Sequence, residues 1–600
     1  MRITQTLLGA VTVGAFFAAI GAAGQLRGAP AAAVGPALPI TVGLTPPADI
    51  AGGAPSATLS QAASFAWREF FALNWTALTT STTGGTLRDT PDPSCAFGNP
   101  TCGANRPLVW QTYRGKVEIF PGTGNPPASY TTPPPNAPTW SYGYDGGPSY
   151  NYGTPVPACT NQPAVAAPWV NLDETDQIAL DSMYAGVGPT PVPSASPGAT
   201  NSQPQLIRFV AKANRTLYSY IQGYGFWQGA PGGVPSPGVP DPTPASQPYN
   251  AANAPGFVSL PNGTFETKSG WRPLTTQEAL SGRFVTAPVR YYENSTGAPG
   301  GPPCWRQSTF GLVALHIIQK TPSAPYFVYA TFEQADNILT ASGGRVENDD
   351  GATTPSGVVV PPTTPQTALV DVTATVPPGI RIPPKIVANG PPCTAIGKRL
   401  YYRNAVTKKA LPQGPICVNR RQNPIPSEII SANGTAHAAL ARYEATHGGY
   451  HSPFEHYKLI NVQYAPIDKN TFGSYTGPAP ATFSQANIVV ETNHTLQLFT
   501  GGLVGGGSTG SNSENPGIFG QSGLGTTFKN TFYNSKTYNM GGCMGCHGAA
   551  GQLKGGDFSV ITVEGSVTTA EYPAPVSTSG SAKAVPRNRT YVGIRPLKRY

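Results

Sequence analysis

Phe310-Gly311-Leu312-Val313-Ala314-Leu315-His316-Ile317-Ile318-Gln319 is apolar at odd and even positions alike, His316 and the terminal Gln319 apart. Successive side chains of a strand point to opposite faces, so a run of this kind needs cover on both. The stretch predicts a central buried strand. Tyr326-Phe327-Val328-Tyr329-Ala330-Thr331-Phe332 predicts its neighbour.

Working outward, the clearest helical pattern lies over Ser60–Trp75, with Ser60 as N-cap and Ala62, Ala66, Phe70 and Leu73 on one stripe. A second helix is predicted over 203–223, from Leu206, Phe209, Val210, Ala213, Leu217, Tyr220 and Ile221. Residues 108–120 read as extended or mixed, 435–446 as a short helix, and 457–464 and 486–499 as strand-like or mixed. Pro- and Gly-rich stretches at 121–160 and 229–256 read as surface loops, 351–395 as an insertion and 501–527 as a Gly/Ser-rich linker. Gly505–Gly510 matches GxGxxG but stands between no clear strand and helix, and reads as a flexible loop. Asp173–Asp176 and Glu347–Gly351 lack a full calcium-loop pattern and read as solvated turns.

Composition agrees with this outline. The chain carries 70 Gly and 66 Pro with 10% aromatic and only 11% charged residues, a balance of loops and packing rings rather than of disorder. The expected class is mainly β with a few helices (α+β), one large loop-rich body with a C-terminal segment around Cys543–His547. A secretory signal peptide is expected over 1–33, from the basic start, the apolar run Leu7–Ala23 and the small residues that follow. The body then spans 34–500, and a Gly-rich linker with the Cys543–His547 segment spans 501–600. The net charge of +9 is scattered except for a basic C-terminal tail. No nucleophile elbow, phosphate loop or basic aromatic nucleic-acid surface stands out.

Six of the eight cysteines, namely Cys95, Cys102, Cys159, Cys304, Cys393 and Cys417, fit three disulfides in an exported chain. Sequence proximity favours Cys95–Cys102 and Cys393–Cys417. The other two lie in Cys543-Met544-Gly545-Cys546-His547. Two thioether bonds to the haem vinyl groups require cysteines at this spacing, and the adjacent histidine reaches the iron from the same turn. Chance occurrence, given eight cysteines and seven histidines in 600 residues, is on the order of one in a thousand. A zinc site would need a second ligand pair, which does not follow. A redox dithiol would ordinarily follow a strand rather than Met540-Gly541-Gly542.

His547 is therefore the expected proximal iron ligand of one covalent haem c. Residues 548–600 contain neither methionine nor histidine, so this is not a small self-contained cytochrome. An upstream residue folds back onto the iron, or the iron is open. Upstream stand His316, His437, His447, His451, His456, His494 and Met183, with His316 and His494 foremost as distal ligands. His447 and His451 have metal-binding spacing for a helix, but Gly448-Gly449 between them argues for a loop.

Four stretches together resemble a group of exported bacterial proteins described as cytochrome c family proteins. They are Ser64–Trp75, Gly311–Pro322, Thr331–Asn337, and Cys543–Gly548 with Gly556-Asp557-Phe558-Ser559 behind it. The resemblance implies haem and export and brings no assigned reaction. The leading functional expectation is one-electron transfer in the periplasm or outside the cell, with a redox protein or small electron carrier as partner. An open-haem oxidoreductase is the second, and a surface binding or structural protein the third.

Overall fold

A computed structural model of the chain describes residues 38–79, 86–102, 106–122, 143–174, 184–185, 205–223, 260–274, 276–296, 301–337, 367–368, 416–417, 425–465, 480–487, 490, 531–533, 536–538, 542–544, 547, 559, 561, 567 and 569–572. Their architecture is mainly β with a few helices. The principal sheet has eight strands: β1 (Arg114–Gly115), β2 (Val170–Leu172), β3 (Arg208–Ala213), β4 (Phe265–Pro273), β5 (Thr286–Asn294), β6 (Pro303–Thr321), β7 (Ala324–Gln334) and β8 (Tyr457–Gln463). The order is β8-β7-β6-β4-β3-β1, with β5 also on β6 and β2 beside β5. All of these pairings are antiparallel except β2 with β5.

The predicted central strand lies within β6, which runs for 19 residues, on the order of 60 Å at the rise of an extended chain. Phe310 and Gly311 are paired on both sides, to β4 and to β5. A Cβ on Gly311 would come within 2.6 Å of Leu274, so only glycine fits this close approach.

One face of the sheet is covered by α1 (Leu59–Leu73) and α3 (Ser427–Thr446). Phe70 packs on Phe332 with ring centroids 4.4 Å apart, and Trp67 on the same ring at 5.2 Å. Burying each such side chain contributes roughly 1.5–3 kcal/mol. Asn433 joins the layers: it accepts from Trp67 Nε1 and from Leu459 N, and donates to Leu459 O, each at 3.0 Å. The opposite face carries a second apolar cluster. It contains Ile318, Tyr326, Phe327 and Tyr329 of the sheet together with Met544, Ile561 and Val567 of the C-terminal chain.

Several local expectations are corrected. Helix α1 begins at Leu59, capped by Thr58 rather than Ser60, because Thr58 and Gln61 form a reciprocal capping box. Residues 203–223 are not one helix: β3 occupies Arg208–Ala213, and a helix, α2 (Arg215–Gly223), starts only after Asn214, whose side chain accepts from Leu217 N. Every residue of β3 is buried, and that two-sided burial overrides the helical spacing. Helix α3 starts at Ser427, not 435, because a buried stripe of Ile429, Ala432 and Asn433 extends it.

Within 121–160, the described part 143–160 is not a surface loop throughout, since Tyr144 and Tyr152 are buried. It is tied to β6 by Cys159–Cys304, a disulfide bridging 145 positions. Cys95–Cys102 forms as expected. Cys393 lies outside the described residues, and with it the Cys393–Cys417 pair; so do residues 1–33, 229–256, 351–366 and 501–527. No helix among the described residues is long and apolar enough to cross a membrane.

Replacing Asn433 by Leu strands a buried indole N–H and both backbone groups of Leu459. Urea denaturation should report a loss of about 2–4 kcal/mol. A loss below about 1 kcal/mol would show that this bridge does not hold the layers.

Candidate functional site

The site is set by sheet register. Residues opposite one another on paired antiparallel strands share a face, as do positions i and i+2. Lys268, His316, Thr331 and Asn461 form one row across β4, β6, β7 and β8. Glu266, Ile318, Tyr329 and Gln463 form the next row on the same face. This is the face that carries the C-terminal apolar cluster.

The Cys543–His547 segment docks there. Gly542–Met544 make a helical turn, with Met544 buried and Cys543 half-buried. Met544 N donates to Gln463 Oε1 at 3.2 Å. His547 stands edge-on to the Tyr329 ring, with centroids 5.0 Å apart. Cys543 is a cysteine outside both described disulfides. Cys546 lies outside the described residues.

His316 is one row away from Tyr329. Its Nδ1 lies 2.8 Å from Thr331 Oγ1, and that hydroxyl donates to Gln485 Oε1 at 3.2 Å. A hydroxyl has one proton, so Thr331 accepts from His316 Nδ1–H and Nε2 is the lone-pair nitrogen. Burial, then Lys268 and His547, hold the His316 imidazole down at about 3. It is therefore neutral, the form that ligates metals. Tyr329, which the His547 ring meets, stands in the row next to His316 on the same face.

The other sequence candidates fall elsewhere. His437 packs on Trp67 and its Nε2 pairs with Tyr457 O, on the helix-covered side. His447 stacks on Tyr443 at 3.9 Å, and His451 pairs with Glu455, both at the end of α3. His494 and Met183 lie outside the described residues. Thr331, Tyr329, Gln463 and Gln485 were not singled out from sequence. A signal for Gln463 existed in the polar residues Asn461 and Gln463 at one parity of a buried strand.

A buried polar group adjoins this face. Tyr152 Oη lies 2.8 Å from Asp173 Oδ2, and Lys116 lies 3.7 Å from Glu571 of the C-terminal chain. Asp173 and Glu174 are buried, which corrects their reading as solvated turns. Burial, with Glu174 beside it, raises the Asp173 carboxyl to about 7. No protein-family model, curated protein or solved structure matches the chain.

Asp173 gives a pH prediction. Its folded pKa lies above its unfolded value, so the unfolded chain loses the proton first and stability falls as pH rises from about 4 to about 7. Asp173→Asn can still accept from Tyr152 and removes this loss. In urea titrations the variant should gain on the parent by on the order of 2 kcal/mol between pH 4 and pH 8. A difference that stays constant across that range would contradict the assignment.

Proposed function

We propose that this chain is an exported c-type haem protein that transfers single electrons. Cys543 and Cys546 are the attachment positions, His547 the proximal ligand and His316 the distal one. The observation that carries the reading is the docking of the CxxCH segment on the sheet face that bears His316: Met544 N donates to Gln463 Oε1 at 3.2 Å, and the His547 ring lies 5.0 Å from Tyr329, one row from His316.

A haem of this kind, when bound, supplies reversible exchange between ferrous and ferric iron. The chain's own residues have separate tasks. Thr331 fixes the ring and tautomer of His316 through Nδ1, as the outer hydrogen bond of a metal-bound imidazole does. Gln463 anchors the attachment segment through Met544 N. Ile318, Tyr329 and Met544 keep water from the face. His547 and His316 would both hold the iron, which favours a carrier over an open-haem oxidoreductase. The described disulfides suit an oxidising compartment such as the periplasm. The charge of +9 suits an acidic redox protein as partner, with binding that weakens as salt rises.

Protein purified from a host with covalent haem maturation should keep one haem through acid–organic extraction. It should show a six-coordinate low-spin spectrum in both redox states and bind no carbon monoxide when reduced. His316→Ala should open the iron to carbon monoxide, while Cys543→Ser with Cys546→Ser should lose the covalent haem. Ready carbon monoxide binding by the unaltered protein would overturn the electron-carrier reading. An unchanged His316→Ala spectrum would remove His316 from it.

A further inference from the structure

At the C-terminus of α3, far along the chain from the CxxCH segment, Glu444, His451 and Glu455 converge. A carboxylate oxygen of each glutamate and a ring nitrogen of the histidine all lie within 4.8 Å of one another. The loop between them is shaped for this. Gly448 and Gly449 both take positive φ, a conformation glycine adopts without steric cost. Gly449 N donates back to Glu444 O at 2.9 Å, so the chain reverses and returns over the helix end. Ser452 N then donates to Glu444 Oε1 at 3.2 Å. His451 Nδ1 lies 2.9 Å from Glu455 Oε1.

The Glu444 carboxyl is what distinguishes this group from an ordinary surface ion pair. The residue is 2% exposed. Its Oε1 has the Ser452 amide, its buried Oε2 receives no N–H donor, and its carboxyl hydrogen-bonds the Glu455 carboxyl. Two carboxyl groups this close do not both ionise unless a proton or a cation stands between them. A cation shared by the two carboxylates replaces that proton. His451 supplies the third ligand from the solvent side, its side chain 87% exposed.

We infer that Glu444, His451 and Glu455 form a binding site for one divalent transition-metal ion, Zn²⁺ being the best match. Two carboxylate oxygens and one imidazole nitrogen are ligands that zinc accepts, and imidazole disfavours calcium or magnesium. Water completes the shell on the open side. The ion clamps the reversing loop to the end of α3. That loop in turn packs on the Cys95–Cys102 loop, where Tyr450 Oη donates to Phe97 O and a Cβ on Gly98 would lie 2.6 Å from Ser452 Cβ. The site is therefore structural, and its loss leaves the haem segment unaffected.

The test uses full-length protein as purified, haem included, stripped with EDTA and titrated with ZnCl₂ by calorimetry, with Tm measured in parallel. One equivalent should bind with a rise in Tm. His451→Ala and Glu455→Gln change only side chains that reach solvent. Each should weaken binding by about tenfold or more and abolish the Tm rise while keeping the parent's haem spectrum; in EDTA, His451→Ala should match the parent's Tm and Glu455→Gln should equal or exceed it. Zinc binding unchanged in both variants would overturn the site. Absence of zinc binding by the parent would also overturn it, a higher Tm for Glu455→Gln then marking a proton-sharing carboxyl pair only.

Discussion

A strand that is apolar on both faces obliges its protein to cover both, and β6 imposes that obligation here. Most of its last ten residues are paired to β4 on one edge and to β7 on the other, while Leu312 O and Val313 O accept from the Tyr457 hydroxyl and the Asn337 amide. Their side chains then demand two covers. Helices α1 and α3 provide one, through Trp67, Phe70 and the Asn433 bridge. The other is provided in part by the C-terminal chain, through Met544, Ile561 and Val567. The segment bearing Cys543 and His547 is thus part of the core and not an appended module.

That arrangement explains how a histidine can stand in an apolar strand. His316 lies among Lys268, Thr331 and Asn461 in the row the register dictates. Thr331 fixes one of its nitrogens, and burial keeps it uncharged. The next row on the same face carries Tyr329, which meets the His547 ring. Elsewhere, Glu118 is buried in company. Burial pushes the Glu118 carboxyl up, yet Arg88, Arg114 and Lys212 together outweigh it and hold it at about 2.

Much of this was legible in the residues. The two-sided apolar run marked β6, its echo marked β7, and the CxxCH spacing marked the C-terminal segment as chemically special. Sequence placed His316 beside His494 as a distal candidate but offered no means to choose, because strand register is a tertiary property. The helical spacing across 203–223 misled for a related reason: β3 is buried on both faces, so its apolar residues carry no clean period of two. Cys159–Cys304 was invisible because its partners are 145 positions apart and meet only when 143–160 packs against β6. The Glu444–His451–Glu455 group was half visible. His447 and His451 drew attention by spacing, but the glycine reversal replaces His447 with Glu444.

The central claim is that one haem stands between His547 and His316 on this sheet face. Near-infrared magnetic circular dichroism of the oxidised, purified protein tests it most directly, since the charge-transfer band of low-spin ferric haem reports the axial pair. The account predicts the band of bis-imidazole ligation, lost in His316→Ala. A high-spin spectrum, a band from another axial pair, or a bis-imidazole band that persists without His316 would contradict it.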